Sequence, residues 1–128
     1  MRALVVDDAR AVRMMIRRIL TSAGFDEVYE AGDGLEALAA LEEMDGLPDV
    51  ALVDWNMPNM DGLELIRAVR KDPVTRDLPL VMVTTESEMS QMVRALAAGA
   101  SEYVMKPFTP EIVLDKLALL GIVTTTAV

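Results

Sequence analysis

Val50-Ala51-Leu52-Val53-Asp54 decides the fold of this chain: four apolar residues in a row, closed by a single carboxylate. An unbroken apolar run this short suits a strand buried on both faces, and strands of that kind belong to parallel sheets. The motif recurs on either side. Ala3-Leu4-Val5-Val6 closes on Asp7 and Asp8, Leu80-Val81-Met82-Val83 on the hydroxyls of Thr84 and Thr85, and Tyr103-Val104-Met105 on Lys106-Pro107. Val28-Tyr29-Glu30-Ala31 is a weaker fifth candidate.

Helical stripes fill the intervals. Val12, Met15, Ile16, Ile19 and Leu20 recur at helical spacing, as do Met89, Met92, Val93, Leu96 and Ala97. Leu35, Leu38 and Leu41 mark another helix; Leu65, Ile66 and Val69 a further one; and Val113, Leu117 and Leu120 the last. Gly24, Gly46 and Gly99 stand where helices should stop. The alternation predicts a single (βα)5 domain of the α/β class, a doubly wound parallel sheet with helices on both faces. It occupies residues 1–121, with 122–128 a short, weakly structured tail and no output domain.

Composition narrows the chemistry. A length of 128 residues suits one domain with a real core, and 52% hydrophobic against 26% charged residues describes a globular chain. With 21 acidic against 12 basic residues the net charge is -9, which disfavours a nucleic-acid partner. Arg10, Arg13, Arg17 and Arg18 cluster on the polar side of the first helix and read as a solvated face. There is no cysteine and no histidine, so thiol and imidazole chemistry are excluded and any metal must be held by oxygen. No apolar run reaches the roughly 18 residues of a membrane span. A strand begins within three residues of the N-terminus, which leaves no room for a signal peptide and gives a cytoplasmic expectation.

In open α/β sheets, ligands bind beyond the carboxyl ends of the strands. Asp7, Asp8 and Asp54 lie at such ends, where three carboxylates repel unless a hard divalent cation, best Mg2+, stands among them. For Asp8 the alternative is a helix cap, since a helix starts near Arg10. Lys106 can neutralise the same cluster and hold a phosphoryl oxygen, and Thr84 can donate to a second. Met15, Met82, Met92 and Met105 fall on core faces as filler, whereas Met57, Met60 and Met89 fall near the site edge.

The ordered set Asp7-Asp8, Asp54, Thr84, Tyr103 and Lys106-Pro107, with Trp55-Asn56-Met57-Pro58 and Asp61-Gly62, resembles response-regulator receiver domains, specifically the single-domain, CheY-like chemotaxis regulators. The resemblance covers residues 1 to about 121 and implies a flavodoxin-like sheet of order 2-1-3-4-5. It implies that Asp54 is a phosphoacceptor for a phosphohistidine on a partner histidine kinase or phosphotransfer protein. It implies Mg2+ held by Asp8, Asp54 and the main-chain carbonyl of Asn56, with Asp7 assisting, and phosphate contacts from Thr84 and Lys106. A cis Lys106-Pro107 bond is implied in the same way. Thr84 and Tyr103 would form the switch that reshapes the surface of the fourth helix, fifth strand and fifth helix for a downstream target. Asn56 and Glu86 would tune hydrolysis of the acyl phosphate, giving a short-lived phosphorylated state.

Such a chain is a signalling phosphoacceptor, expected to be a monomer, that catalyses its own phosphorylation and dephosphorylation. Where relatives carry lysines near a flagellar-motor contact, this chain has Glu88 and Met89, although Lys116 is retained. Relay or phosphate-sink duties toward a non-motor partner are therefore an alternative. A haloacid-dehalogenase-type phosphatase also uses an aspartyl phosphate, but it needs Asp-x-Asp where this chain has Asp7-Asp8-Ala9. A degenerate receiver acting only as a binding module is a further alternative.

Overall fold

A computed structural model describes residues 1–85 and 90–123. Strands and helices alternate throughout: β1 (Arg2–Val6), α1 (Arg10–Ser22), β2 (Glu27–Ala31), α2 (Gly34–Glu43), β3 (Val50–Asp54), α3 (Gly62–Lys71), β4 (Leu80–Thr85), α4 (Met92–Ala98), β5 (Glu102–Lys106) and α5 (Pro110–Leu119). All strand pairs are parallel, in the order β2-β1-β3-β4-β5. Chain order reverses beside β1, so the carboxyl ends of β1 and β3 flank the switch point where open sheets bind ligands.

The period-two alternation of the strands splits the core into two layers. Leu4, Val6, Ala51, Val53, Leu80 and Met82 face α2, α3 and α4, where they meet residues such as Ala37, Leu41, Ile66 and Ala95. Ala3, Val5, Val50, Leu52, Val81, Val83 and Val104 face α1 and α5, against Ile16, Leu20, Val113 and Leu117. Both layers are nearly dry, which is why the central strands contain almost no polar residue before their last positions.

The helix ends follow local chemistry. Asp61 caps α3 in a reciprocal capping box with Glu64, Asp33 caps α2 through the Glu36 amide, and Thr109 caps α5 ahead of Pro110. Gly24 (φ 101°) and Gly121 (φ 74°) take left-handed conformations just past α1 and α5. Each turns the next residue back: Phe25 N–H donates to the Leu20 carbonyl and Ile122 N–H to that of Leu117, both at 3.0–3.1 Å. Ile122 and Val123, the first two residues of the expected tail, therefore pack partly against the core. Residues 124–128 lie outside the described residues.

Four further expectations need correction. Met15 is exposed and not core filler, because α1 buries Ile16, Ile19 and Leu20 instead. Leu35 sits exposed on the first turn of α2. In α4 the buried face is Met92 and Ala95, while Val93 is 74% and Leu96 45% exposed and Ala97 faces solvent with them. Small alanines let this short helix lie close to its neighbours, so the larger side chains of the stripe point outward. Finally, the arginine cluster is not simply solvated: Arg13 and Arg17 both pair with Glu30 on β2.

Candidate functional site

Continuing the strand alternation, Asp7, Asp54 and Lys106 share the parity of Val5, Leu52 and Val104, so all three rise from the α1/α5 side of the sheet's carboxyl edge. Asp7 (1% exposed) and Asp54 (7%) are buried, and Lys106 Nζ donates to Asp7 Oδ2 and Asp54 Oδ1 at 3.1 Å each. The Lys106-Pro107 bond is cis. Asp8 is exposed beside the pair, and one carboxylate oxygen from each of Asp7, Asp8 and Asp54 lies within 4.8 Å of the others. The N-cap of α1 is Ala9, with no side-chain cap, so Asp8 does not serve as a cap.

One ammonium thus faces two buried carboxylates with a third alongside. Burial and then repulsion from Asp7 push the Asp54 carboxyl up to about 6, against the opposing pull of Lys106. Burial alone would lower the Lys106 ammonium, but Asp54 and Asp7 outweigh it and hold it above its usual range. The two shifts agree once the charges are counted: the lysine stays charged, yet it cannot satisfy both carboxylates. The cluster is short of positive charge, and an all-oxygen set of this kind fits Mg2+ or a similar hard cation.

The rest of the predicted site is distributed around this centre. Thr84 is fully buried at the end of β4, and its hydroxyl donates to the Thr85 carbonyl at 3.4 Å. Tyr103 is half-buried against the α2–α4 core layer, the side on which the alternation also places Thr84. Lys116 Nζ stands 4.6 Å from the Tyr103 ring centroid and also bonds Glu102 at 3.2 Å. Asn56 is exposed on the loop after β3, two residues from Asp54. Glu86, Glu88 and Met89 lie outside the described residues.

The loop after β3 is anchored by contacts the sequence did not announce. Asn59, left-handed at φ 65°, donates from its side-chain amide to Asp33 at 2.7 Å, and Gly34 N–H donates to the Met60 carbonyl at 3.1 Å. Met60 lies directly over Gly34, where any Cβ would come within 2.5 Å of it. Met57 and Met60 pack against the core layer, so they are structural. Arg13 was also missed: its guanidinium donates to the Asp7 carbonyl at 2.6 Å.

The response regulator receiver domain family matches residues 3–118. The chain belongs to that family. It is similar to the chemotaxis protein CheY homolog of Campylobacter jejuni, 44% identical over 117 residues that cover 91% of this chain and 89% of the relative. CheY1 of Helicobacter pylori is 41% identical over 119 residues, covering 91% and 94%. Among solved structures, CheY4 of Vibrio cholerae superposes with a TM-score of 0.83 at 38% identity, covering 92% of this receiver and 96% of that chain. A putative response regulator from Chloroflexus aurantiacus gives 0.84 at 36% identity, covering 94% and 97%. The receiver is thus CheY-like in fold and in sequence across nearly its whole described length.

Proposed function

We propose that this receiver is a phosphorelay signalling protein that accepts a phosphoryl group on Asp54 from a partner histidine kinase or phosphotransfer protein. The observation that carries this is the buried Asp54 carboxylate held by Lys106 at 3.1 Å beside Asp7 and Asp8. Asp54 attacks phosphorus through Oδ2, the oxygen not held by Lys106. The phosphorus–nitrogen bond of the donor breaks, its electron pair returns to the imidazole, which takes a proton from solvent, and an acyl phosphate forms. The chain has no histidine, so the donor is another protein. Lys106, a compact charge, stabilises negative charge on the transferring group, and Thr84 supplies a hydroxyl donor. Asp8, Asp54 and the Asn56 carbonyl would hold Mg2+, with Asp7 assisting; bound there, it would neutralise charge on the phosphoryl oxygens. Water then cleaves the acyl phosphate, in a step tuned by Asn56 and Glu86.

The readout follows from where Thr84 and Tyr103 sit, on the sheet face toward α4. Movement of Thr84 toward the phosphate would free space for the Tyr103 ring and change the surface of α4, β5 and α5. Exposed Val93 and Leu96 on α4 with Ile112 on α5 give that surface apolar contact area for a protein target. The relatives named for chemotaxis support motility signalling as the setting. Among the described residues no helix is long and apolar enough to cross a membrane.

Trp55, buried next to Asp54, reports on the site. Its emission is expected to change saturably with Mg2+ and again with acetyl phosphate, the second change decaying as donor is consumed and absent in Asp54→Ala. No Mg2+ response in the wild type would refute the site. The pH dependence has a defined sign. With its folded pKa raised to about 6, Asp54 is protonated in the folded chain between about pH 4 and 6 and ionised in the unfolded one. Its contribution to stability therefore falls as pH rises through that window. The cation competes with that proton, so Mg2+ affinity is expected to weaken below about pH 6, by at most about tenfold per pH unit for one proton. Affinity flat between pH 5 and 8 would contradict it.

A further inference from the structure

The loop between β1 and α1 carries both Asp7 and Asp8, yet it lacks the usual restraint of such a loop. The N-cap residue is Ala9, which has no side-chain acceptor for the amides of the first turn. Every polar group of Asp7 is nevertheless tied down. Its amide donates to the Ala31 carbonyl at 3.1 Å, Oδ1 accepts from the Ala9 amide at 2.8 Å, and Oδ2 accepts from Lys106 at 3.1 Å. The carbonyl is held by Arg13 Nη1 at 2.6 Å. That carbonyl belongs to the Asp7–Asp8 peptide plane, so whatever fixes it also fixes the Asp8 nitrogen and Cα, the base from which the exposed Asp8 side chain leaves the backbone.

Arg13 is itself oriented. Its Nε donates to Glu30 Oε1 at 3.0 Å, and the other oxygen of Glu30 accepts from Arg17 Nε at 2.7 Å. Arg17 continues to the Val28 carbonyl at 2.6 Å. The Arg13 side chain is 18% and that of Glu30 26% exposed, so the pair lies at the surface with its charged ends partly covered, and an arginine fork suits it. The network joins α1, β2 and the end of β1.

We infer that Arg13, aligned by Glu30, is a positioning residue for the cation site: it fixes the Asp7–Asp8 peptide so that the Asp8 carboxylate is preorganised toward Asp7 and Asp54. The inference rests on the reading of that cluster as a Mg2+ site. Arg13 touches neither cation nor phosphoryl group in this scheme. Residues that orient metal ligands commonly govern affinity by about 10–100-fold.

The sign of the effect separates positioning from simple electrostatics. Removing a positive charge beside a cation site should, by Coulomb attraction alone, tighten Mg2+ binding. A positioning role demands the reverse. The test is Mg2+ titration of Trp55 fluorescence in wild type, Arg13→Gln, Arg13→Lys and Glu30→Gln, with urea unfolding of each variant in the absence of Mg2+. Arg13→Gln is expected to weaken Mg2+ affinity by about tenfold. Arg13→Lys, which keeps the charge but loses the fork, is expected to weaken it too, and Glu30→Gln by less. Unchanged or tighter binding in both Arg13 variants overturns the inference, whatever their urea midpoints. Asp8→Asn distinguishes the two levels of failure. If wild type and Asp8→Asn respond identically to Mg2+, the cation site itself is misassigned and the Arg13 role falls with it. If Asp8→Asn loses affinity and the Arg13 variants do not, only the positioning role fails.

Discussion

Replacing Lys106 by alanine is expected to slow phosphorylation of the receiver by about 10²–10³-fold, equivalent to about 2.7–4 kcal/mol, the usual effect of deleting one preorganised charge-stabilising donor. Lys106 is the sole cation bonded to both Asp7 and Asp54 among the described residues. Its loss leaves two buried carboxylates facing each other, so the Asp54 carboxyl should move further up from about 6, and more of it is protonated near neutrality. Mg2+ affinity near pH 8 should hold or strengthen, since a competing positive charge is gone. The divergence is the diagnostic part: binding is preserved while phosphoryl transfer from acetyl phosphate collapses. Arginine should not rescue, because its wide planar fork replaces a compact charge. A Lys106→Ala variant phosphorylated within a few-fold of wild type would remove the lysine from the proposed mechanism.

Gly62→Ala is the substitution expected to do the most structural harm for the smallest chemical change. A Cβ at Gly62 would lie 2.5 Å from the Asp54 carbonyl oxygen, 2.9 Å from Met82 Cε and 3.2 Å from Trp55 Cα. Met82 can swing aside, but the backbone of Asp54 and Trp55 cannot without moving the proposed phosphoacceptor. The Gly62 amide also donates to the Trp55 carbonyl at 2.9 Å, so displacement strains a bond that closes the loop. Overpacking of this kind costs about 1–3 kcal/mol, against at most about 1 kcal/mol gained from the better helix propensity of alanine. A lower urea midpoint is expected, with altered Trp55 emission and slower phosphorylation in the fraction that stays folded. Equal midpoints and identical emission spectra would show that the loop relaxes freely, against the close approach seen here.

The sheet and its reacting edge were legible because strand ends are marked in one dimension. Each apolar run stops at a residue that the parallel arrangement carries to one edge, so Asp7, Asp54, Thr84 and Lys106 follow from counting. The face of α4 was not, since periodicity finds an apolar stripe but cannot tell that Ala95 fits against its neighbours where Val93 and Leu96 do not. Nor was the support of the site. Arg13 and Glu30 are 17 residues apart, and Asn59 and Asp33 are 26 apart. Each pair meets only after the sheet has formed, and an arginine on a helix looks the same in sequence whether solvated or clasping a carbonyl. The candidate site residues stand at strand ends that the sequence marks, while their scaffolding lies in pairings that sequence spacing does not encode.

The central claim is that Asp54 is the residue phosphorylated, and the most direct measurement is the mass and site of the adduct. Wild type and Asp54→Asn would be treated with acetyl phosphate in Mg2+ and, separately, in a chelator, then rapidly quenched, weighed intact and mapped by peptide. One phosphoryl group per chain, labile to hydroxylamine, confined to the peptide bearing Asp54 and absent in Asp54→Asn and in chelator, is the predicted result. An adduct on any other residue, or none in Mg2+ from this donor and from a histidine-phosphorylated protein alike, would contradict it.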